Sequence, residues 1–455
     1  MEPLDLSRRD ESRSLPEEFS SMAPFILFLS YAAGDFGWHM DGSYANLTID
    51  DAWLTQPYGH VNYPALLNEM EKHNFHMTIA FIPWNFDRSE PKVVTLFRTH
   101  PERFSITVHG NNHDHMEFGD YAVNPLQDQL ADLKQGLARM ERFRVLTGLP
   151  YDRFIVFPHG IPPEETFAMF KRYNFLGTAN LADVPSDVTF PTDPAFLLRP
   201  YTTAFANFLS LSRYPVQAQV PRLELAIQSF LGNPLLFYGH EDLFVEGIGA
   251  FNAYADHVNE IQPNTQWTSL GEIARHSYLV RRREDGAFDV RMLANEMDLR
   301  NPADRDAVFY ITREEDSSAI HSLTSDGAPV AFERSKNMVA LRLLIPAHQV
   351  RKLRLSYQND LDPSREDIGK SGVRLYALRW ISDFRDMYLS KFSLGRVIKR
   401  YYYRQGWDSI ELHLEQEWWV YLCIVLVFAG LWYRLRRARE QAARKPSKSP
   451  PCEHV

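Results

Sequence analysis

Cysteine is nearly absent from this chain: only Cys423 and Cys452 occur in 455 residues. The first lies in an apolar run and the second in a polar tail, which leaves neither a disulfide framework nor a thiolate metal site. Positive charge is outnumbered by negative over most of the length. The total is −9, and residues 434–455 carry seven Lys/Arg against two Glu, net +5, which leaves −14 for the remainder. An acidic body argues against nucleic acid as a partner. Long apolar runs are missing too, with one exception. "WWVYLCIVLVFAGLWY", residues 418–433, has no charge, has aromatic residues at both ends and is followed at once by "RLRRAREQAARK". It is shorter than the roughly 20 residues of a usual span. Its Trp ends and Arg-rich flank predict a transmembrane helix at 418–433 and a basic cytoplasmic tail at 434–455. The expected placement is a single-pass, membrane-anchored chain with an extracytoplasmic body. Such a body needs an export signal. Within an N-terminal segment 1–39, "MAPFILFLSYAAG", residues 22–34, reads either as that signal or as an extra core strand.

What is present between these ends is alternation. "SYANLTID" reads as a strand ending at Asp50, "YPALLNEMEKHN" as a helix, "FHMTIAFIPW" as a strand, "PKVVTLFRTHP" as a helix and "FSITVHG" as a strand. A long amphipathic helix follows, with Leu130, Leu133, Leu137 and Met140 on one face. "RFIVFPHG", "FLGTAN" and "NPLLFYGHEDLF" are further strands, and "TSLGEIARHSY" is a closing helix. Repeated units of this length predict an α/β fold with a parallel sheet, open or closed into a barrel, over residues 40–280. From about 281 to 358 the pattern changes to short period-2 segments with turns between them, the signature of a β-sandwich. Residues 359–417 read as a linker with amphipathic helices, packing on the body or lying on a membrane surface. Aromatics reach 13%, which fits a carbohydrate-handling surface as well as large cores.

The polar clusters sit at strand ends, where folds of this kind place their sites. Asp50, Asp51, His109, His113, Pro158 to Gly160 and His240 all end predicted strands, and a barrel would gather them on one face. His109 and His113 are four apart, close enough to share one ion if the loop turns helically. Two imidazoles and one carboxylate form a facial set that leaves positions open for water and substrate. Of two adjacent carboxylates, one can bind the metal while the other accepts a proton from water.

These residues resemble the motifs of the polysaccharide deacetylase, or NodB-homology, family. "TIDDA" at 48–52 is similar to its Thr-Phe-Asp-Asp-Gly, with Ile49 and Ala52 as departures. "HGNNH" at 109–113 is similar to its His-Ser/Thr-x-x-His, with Gly110 in second place. "FPHG" at 157–160 resembles the end of Arg-x-Pro-x-Gly, with Val156 where the family has an Arg that orients the base. "LLFYGH" at 235–240 loosely resembles the Leu-x-His motif, and the fourth motif has no counterpart. The resemblance implies a divergent member with a distorted (β/α) barrel at 40–280. It implies that Asp51, His109 and His113 bind a divalent metal, usually Zn2+, with Asp50 as general base and His240 as general acid. The substrate would be an acylated envelope or extracellular glycan. Arg153 or His159 would stand in for the absent Arg, and Trp38, His39, Asp41, His115 and His159 would line the substrate site. Two other readings stay open: a silent glycan-binding or scaffold protein of the same fold, and a metal-independent glycoside hydrolase.

Overall fold

The computed structural model describes residues 15–113, 116–119, 125–191, 198, 202–316, 320–370, 372–395 and 397. In chain order the first part contains α1 (Leu15–Ala33), β1 (His39–Met40), β2 (Tyr44–Asp50), α2 (Tyr63–His73), β3 (Met77–Phe81), α3 (Pro91–Thr99), β4 (Phe104–Val108), α4 (Met116–Gly119), α5 (Leu126–Thr147), β5 (Asp152–Ile155), α6 (Glu164–Arg172), β6 (Gly177–Asn180), β7 (Leu209–Ser212), β8 (Tyr214–Pro215), α7 (Arg222–Phe230), β9 (Leu235–Gly239), α8 (Asn252–Ile261), β10 (Gln266–Trp267) and α9 (Leu270–Arg275).

Every residue of β2 is buried, as expected of a strand covered on both faces. Ala45, Leu47 and Ile49 point to the helices, while Asn46, Thr48 and Asp50 alternate with them and point the other way. The strand order is β7-β6-β5-β4-β3-β2-β9-β8, with β10 beside β2, and every ladder is parallel. The two ends of that order, β7 and β8, are consecutive in sequence and separated by Arg213 alone. The sheet therefore comes nearly full circle as an eight-stranded barrel, with Arg213 at the seam.

The inward face of β2 is polar, while other strands place apolar residues such as Ala80, Phe154 and Leu236 on their inward faces. Asn46 Nδ2 donates to Thr78 Oγ1 at 2.7 Å and Thr48 Oγ1 to Asn46 Oδ1 at 3.0 Å. This column of satisfied groups leads up β2 to Asp50. The apolar residues outside it pack under the helices as one large cluster that includes Leu47, Ile79, Ile106, Phe143 and Phe237.

Two further sheets follow. β11 (Tyr278–Arg282), β12 (Phe288–Met292), β14 (Ala307–Glu314), β18 (Met338–Ile345) and β17 (Glu333–Ser335) join β1 in one. The other contains β13 (Glu296–Arg300), β19 (Val350–Tyr357), β15 (Ile320–Ser325) and β16 (Ala328–Pro329). Val290, Phe309 and Leu341 from the first meet Leu299, Leu323 and Leu353 from the second in a shared core, which makes the pair a sandwich.

One sequence expectation changes here. Residues 22–34 hold no strand: they lie mostly in α1, whose Phe25 and Tyr31 are 65% and 90% exposed. A continuous apolar run has no period of 2, so nothing in it favoured a strand over a helix. After 359, of the two placements expected for an amphipathic helix, α10 (Val373–Asp383) takes the one on the body: it packs on the barrel through Arg88 to Asp383 at 2.6 Å and Trp84 to Tyr376 at 5.4 Å between ring centroids. Among the described residues no helix is long and apolar enough to cross a membrane, and the expected span at 418–433 lies outside them.

Candidate active site

Asp50 ends β2 with its side chain at the top of the polar column. Asp51 leaves the strand at a φ of 67°, so its carboxylate points elsewhere. His109 extends the neighbouring ladder by one bond, its N–H donating to Phe81 O at 2.9 Å. The loop then passes through two left-handed residues, Gly110 at φ 61° and His113 at φ 51°. That double turn brings both imidazoles back to Asp51: Nε2 of His109 lies 3.2 Å and Nε2 of His113 2.9 Å from Asp51 Oδ1. Gly110 explains the departure in the second motif. A Cβ there would stand 2.6 Å from Pro158 Cγ and 2.7 Å from Glu117 Oε1, and the positive φ would strain any Ser or Thr.

The donors and acceptors of this trio do not balance. His109 Nδ1 donates to Val156 O at 2.7 Å, which leaves Nε2 of the neutral ring with a lone pair facing Asp51. Asp51 Oδ1 is buried and accepts no hydrogen bond of acceptable geometry, despite the two close nitrogens. Burial pushes the Asp51 carboxyl up, but His113 and His109 beside it hold it well below the ordinary carboxylate range. Burial lowers His113, which favours its neutral, metal-binding form, while Asp51 and Asp50 raise His109 against the same burial. The ligand atoms of Asp51, His109 and His113 lie within 4.8 Å of one another, an arrangement that can hold a cation between them. The residues present fit a divalent metal, and the Val156 carbonyl orients one ligand from behind.

Asp50 is held by a residue that the sequence reading passed over. Arg213, at the barrel seam, donates from Nη1 to Asp50 Oδ1 at 2.8 Å and from Nη2 to Oδ2 at 3.0 Å. Both side chains are buried. Burial pushes the Asp50 carboxyl up, and the guanidinium, helped by His109 and His240, outweighs it and keeps it below the ordinary value. Arg213 thus reaches Asp50 from a different strand end than the one that carries Val156. Neither expected substitute is seen on Asp50: Arg153 bonds the Tyr173 carbonyl at 3.3 Å, and the His159 ring lies tilted against His113 with 4.5 Å between ring centroids. His240 follows β9 with its side chain 47% exposed and Nε2 3.8 Å from Asp51 Oδ2.

The expected substrate residues divide. His159 is at the trio. His115 lies outside the described residues. Trp38, His39 and Asp41 are at the opposite end of β2, separated from Asp50 by a seven-residue strand, about 20 Å at roughly 3.3 Å per residue. Trp38 is clamped between Arg281 and Arg291 on the sandwich, His39 pairs with Val280, and Asp41 is bound by Tyr278 and His276. They are structural and line no part of this site.

No family model matches this sequence, and no curated protein matches it at a significant level. Solved structures do. The family 4 carbohydrate esterase from Streptomyces lividans in complex with acetate is 14% identical over 50% of this chain and 92% of its own, with a TM-score of 0.31. The peptidoglycan deacetylase from Bacillus subtilis is 11% identical over 52% and 92%, with a TM-score of 0.30. A family 4 pseudoenzyme from Bacillus anthracis is 11% identical over 52% and 67%, with a TM-score of 0.29. Each of these likenesses extends over about half of this chain. At these identities the chemistry has to be argued from the chain's own residues.

Proposed function

We propose that this chain is a metal-dependent hydrolase that removes acyl groups from a glycan. One observation carries the reading: the buried Asp51 Oδ1, without a hydrogen-bond partner, and the Nε2 atoms of His109 and His113 converge within 4.8 Å of one another. Asp51, His109 and His113 would hold a divalent ion, zinc by the character of the donor set, and when bound it would supply Lewis acidity toward the acyl carbonyl.

The remaining steps belong to the chain's own residues. Asp50 is ionised and bound to no metal ligand position, and one of its oxygens takes the proton of the attacking water. Arg213 holds that carboxylate in one rotamer by two parallel bonds and keeps it charged. Water oxygen bonds to the acyl carbon and the C–N or C–O bond to the sugar breaks. His240, half exposed on the opposite side of Asp51, donates the proton that the leaving amine or alkoxide needs. The exposed side of His240 is where a polymer can approach.

Release of acetate from N- and O-acetylated glycans, wild type beside Asp50→Asn, tests the reading. Asn keeps the shape and removes the basicity. The rate should fall at least the roughly 10²-fold typical of losing a general base, with bound metal unchanged. A metal-loaded wild type that releases nothing from any substrate would instead identify a silent glycan-binding protein.

A further inference from the structure

The loop that carries His113 is held from outside by a segment that the chain supplies only after the sandwich. Resting on the metal reading above, we propose that residues 366–370 and 372–391 act as a strap that positions this loop, and that Arg379 is the positioning residue for His113.

Four contacts build the strap. Arg379, on α10 and 7% exposed, donates from Nη2 to the His113 carbonyl at 2.9 Å. Arg139, on α5 and 1% exposed, joins loop and strap directly. Its Nη1 donates to Asn111 Oδ1 and Asn112 Oδ1, both at 2.7 Å, and its Nη2 to the Gly369 carbonyl at 2.7 Å. Tyr376 packs edge-on to Trp84, whose own N–H donates to the Asn111 carbonyl at 2.9 Å. Farther along, the Ser390 carbonyl lies 2.9 Å from His60 Nε2, so the strap also grips the loop after β2. The loops after β2, β3 and β4 are thereby tied by one stretch of chain.

Such contacts exceed what packing alone needs. Burying a guanidinium costs free energy unless its donors are used. Arg139 uses its donors on Asn111, Asn112 and the strap, and Arg379 directs Nη2 to the His113 carbonyl while its buried Nε has no partner. His113 sits at a positive φ, a conformation that a non-glycine residue keeps only when its surroundings hold it. Arg379 fixes the peptide that sets where the His113 ring points. It touches no ligand atom of the trio, so it acts through His113. Partners of this rank typically change metal affinity by about 10–100-fold when removed.

The test uses the full chain. Zn2+ affinity is measured by competition with a chromophoric chelator, and the site of the Co2+-substituted protein is followed by visible absorption. Arg379→Met should weaken Zn2+ binding by about 10–100-fold and alter the Co2+ spectrum, and Arg379→Lys, which retains a donor, should restore most of both. Trp380→Ala, on the exposed outer face of the same helix, should change neither. Circular dichroism checks that each variant is folded. Should Arg379→Met fail to fold, Arg379→Gln carries the same expectation. Unchanged affinity and spectrum in a folded Arg379 variant would overturn the strap while leaving the metal site standing. A wild type that binds no metal would overturn the metal reading and the strap with it.

Discussion

The two ends of β2 are built from the same residue types and do opposite things. At its start, Asp41 Oδ2 accepts from Tyr278 Oη at 2.9 Å and from His276 Nδ1 at 2.6 Å. Tyr44 Oη adds a contact of 3.2 Å to each oxygen, and its ring stacks on His276 at 5.2 Å. Just past its end, Asp51 faces two histidines, of which His109 offers it a lone pair instead of a proton. Carboxylate and imidazole meet in both places, so composition does not separate them. The count of donors does: the first carboxylate is satisfied, and the second has a buried oxygen with none. A satisfied knot stabilises a fold; an acceptor cluster is ready for a cation.

The most severe way to break the contrast is to remove a ligand. His113→Ala leaves two of the three ligand groups and should reduce bound metal from about one ion per chain to near none, with acetate release falling to background. Elemental analysis of the purified variant checks this, and chelator-treated wild type should match it. Stoichiometric metal in His113→Ala would remove that residue from the site.

A smaller effect is expected at the seam. Arg213→Met leaves Asp50 buried without its cation, so burial now dominates and the carboxyl titrates higher. The group must be ionised to take a proton, and the acid limb of kcat/KM should therefore move to higher pH. At neutral pH the loss should be less than the roughly 10²-fold expected when the base itself is removed. The sign for stability follows from the same shift. A depressed carboxyl stabilises the fold above its unfolded pKa of about 4 and loses that contribution as pH falls through the folded value, so the variant should lose most stability at neutral pH. Arg213→Lys keeps a charge without the two-pronged geometry and should return the pH limb more fully than the rate. An acid limb that does not move in Arg213→Met would sever Asp50 from that limb.

Much of this site was legible because strand ends concentrate function and a run such as "LTIDDAW" shows where its strand stops. Asp50, Asp51, His109 and His113 were readable for that reason. Arg213 was not. It lies between strands of four and two residues, too short for any hydrophobic period, and its partner is 163 positions away. Only closure of the barrel brings them together. The opposite error arose at Trp38, His39 and Asp41, where nearness in sequence to Asp50 was read as nearness in space. An extended strand maximises the distance between its own ends. Arg379 shows the same limit from the far side of the chain: its role depends on a segment that returns across the whole sandwich, and helical periodicity says nothing of where a helix docks.

The mildest perturbation belongs to the satisfied end. Asp41→Asn retains the shape and one acceptor oxygen but removes the charge that Tyr278 and His276 address. Burial lowers His276, and Asp41 beside it outweighs this and raises it above its ordinary value. A histidine raised on folding contributes stability that is complete below its unfolded pKa, about 6.5, and is lost as pH rises through the folded value. The difference in melting temperature between wild type and Asp41→Asn should therefore be largest in mildly acidic buffer and shrink in alkaline buffer. Exchanging a charged acceptor for a neutral one in a partly buried network costs on the order of 1 kcal/mol, a shift of about 2 °C in Tm. Metal content and acetate release should stay at wild-type levels, because nothing at this end of β2 reaches the other. Thermal melts at two pH values, run beside the metal assay, check both halves. A folded Asp41→Asn that has lost its metal would erase the distinction between a satisfied carboxylate and a ligand.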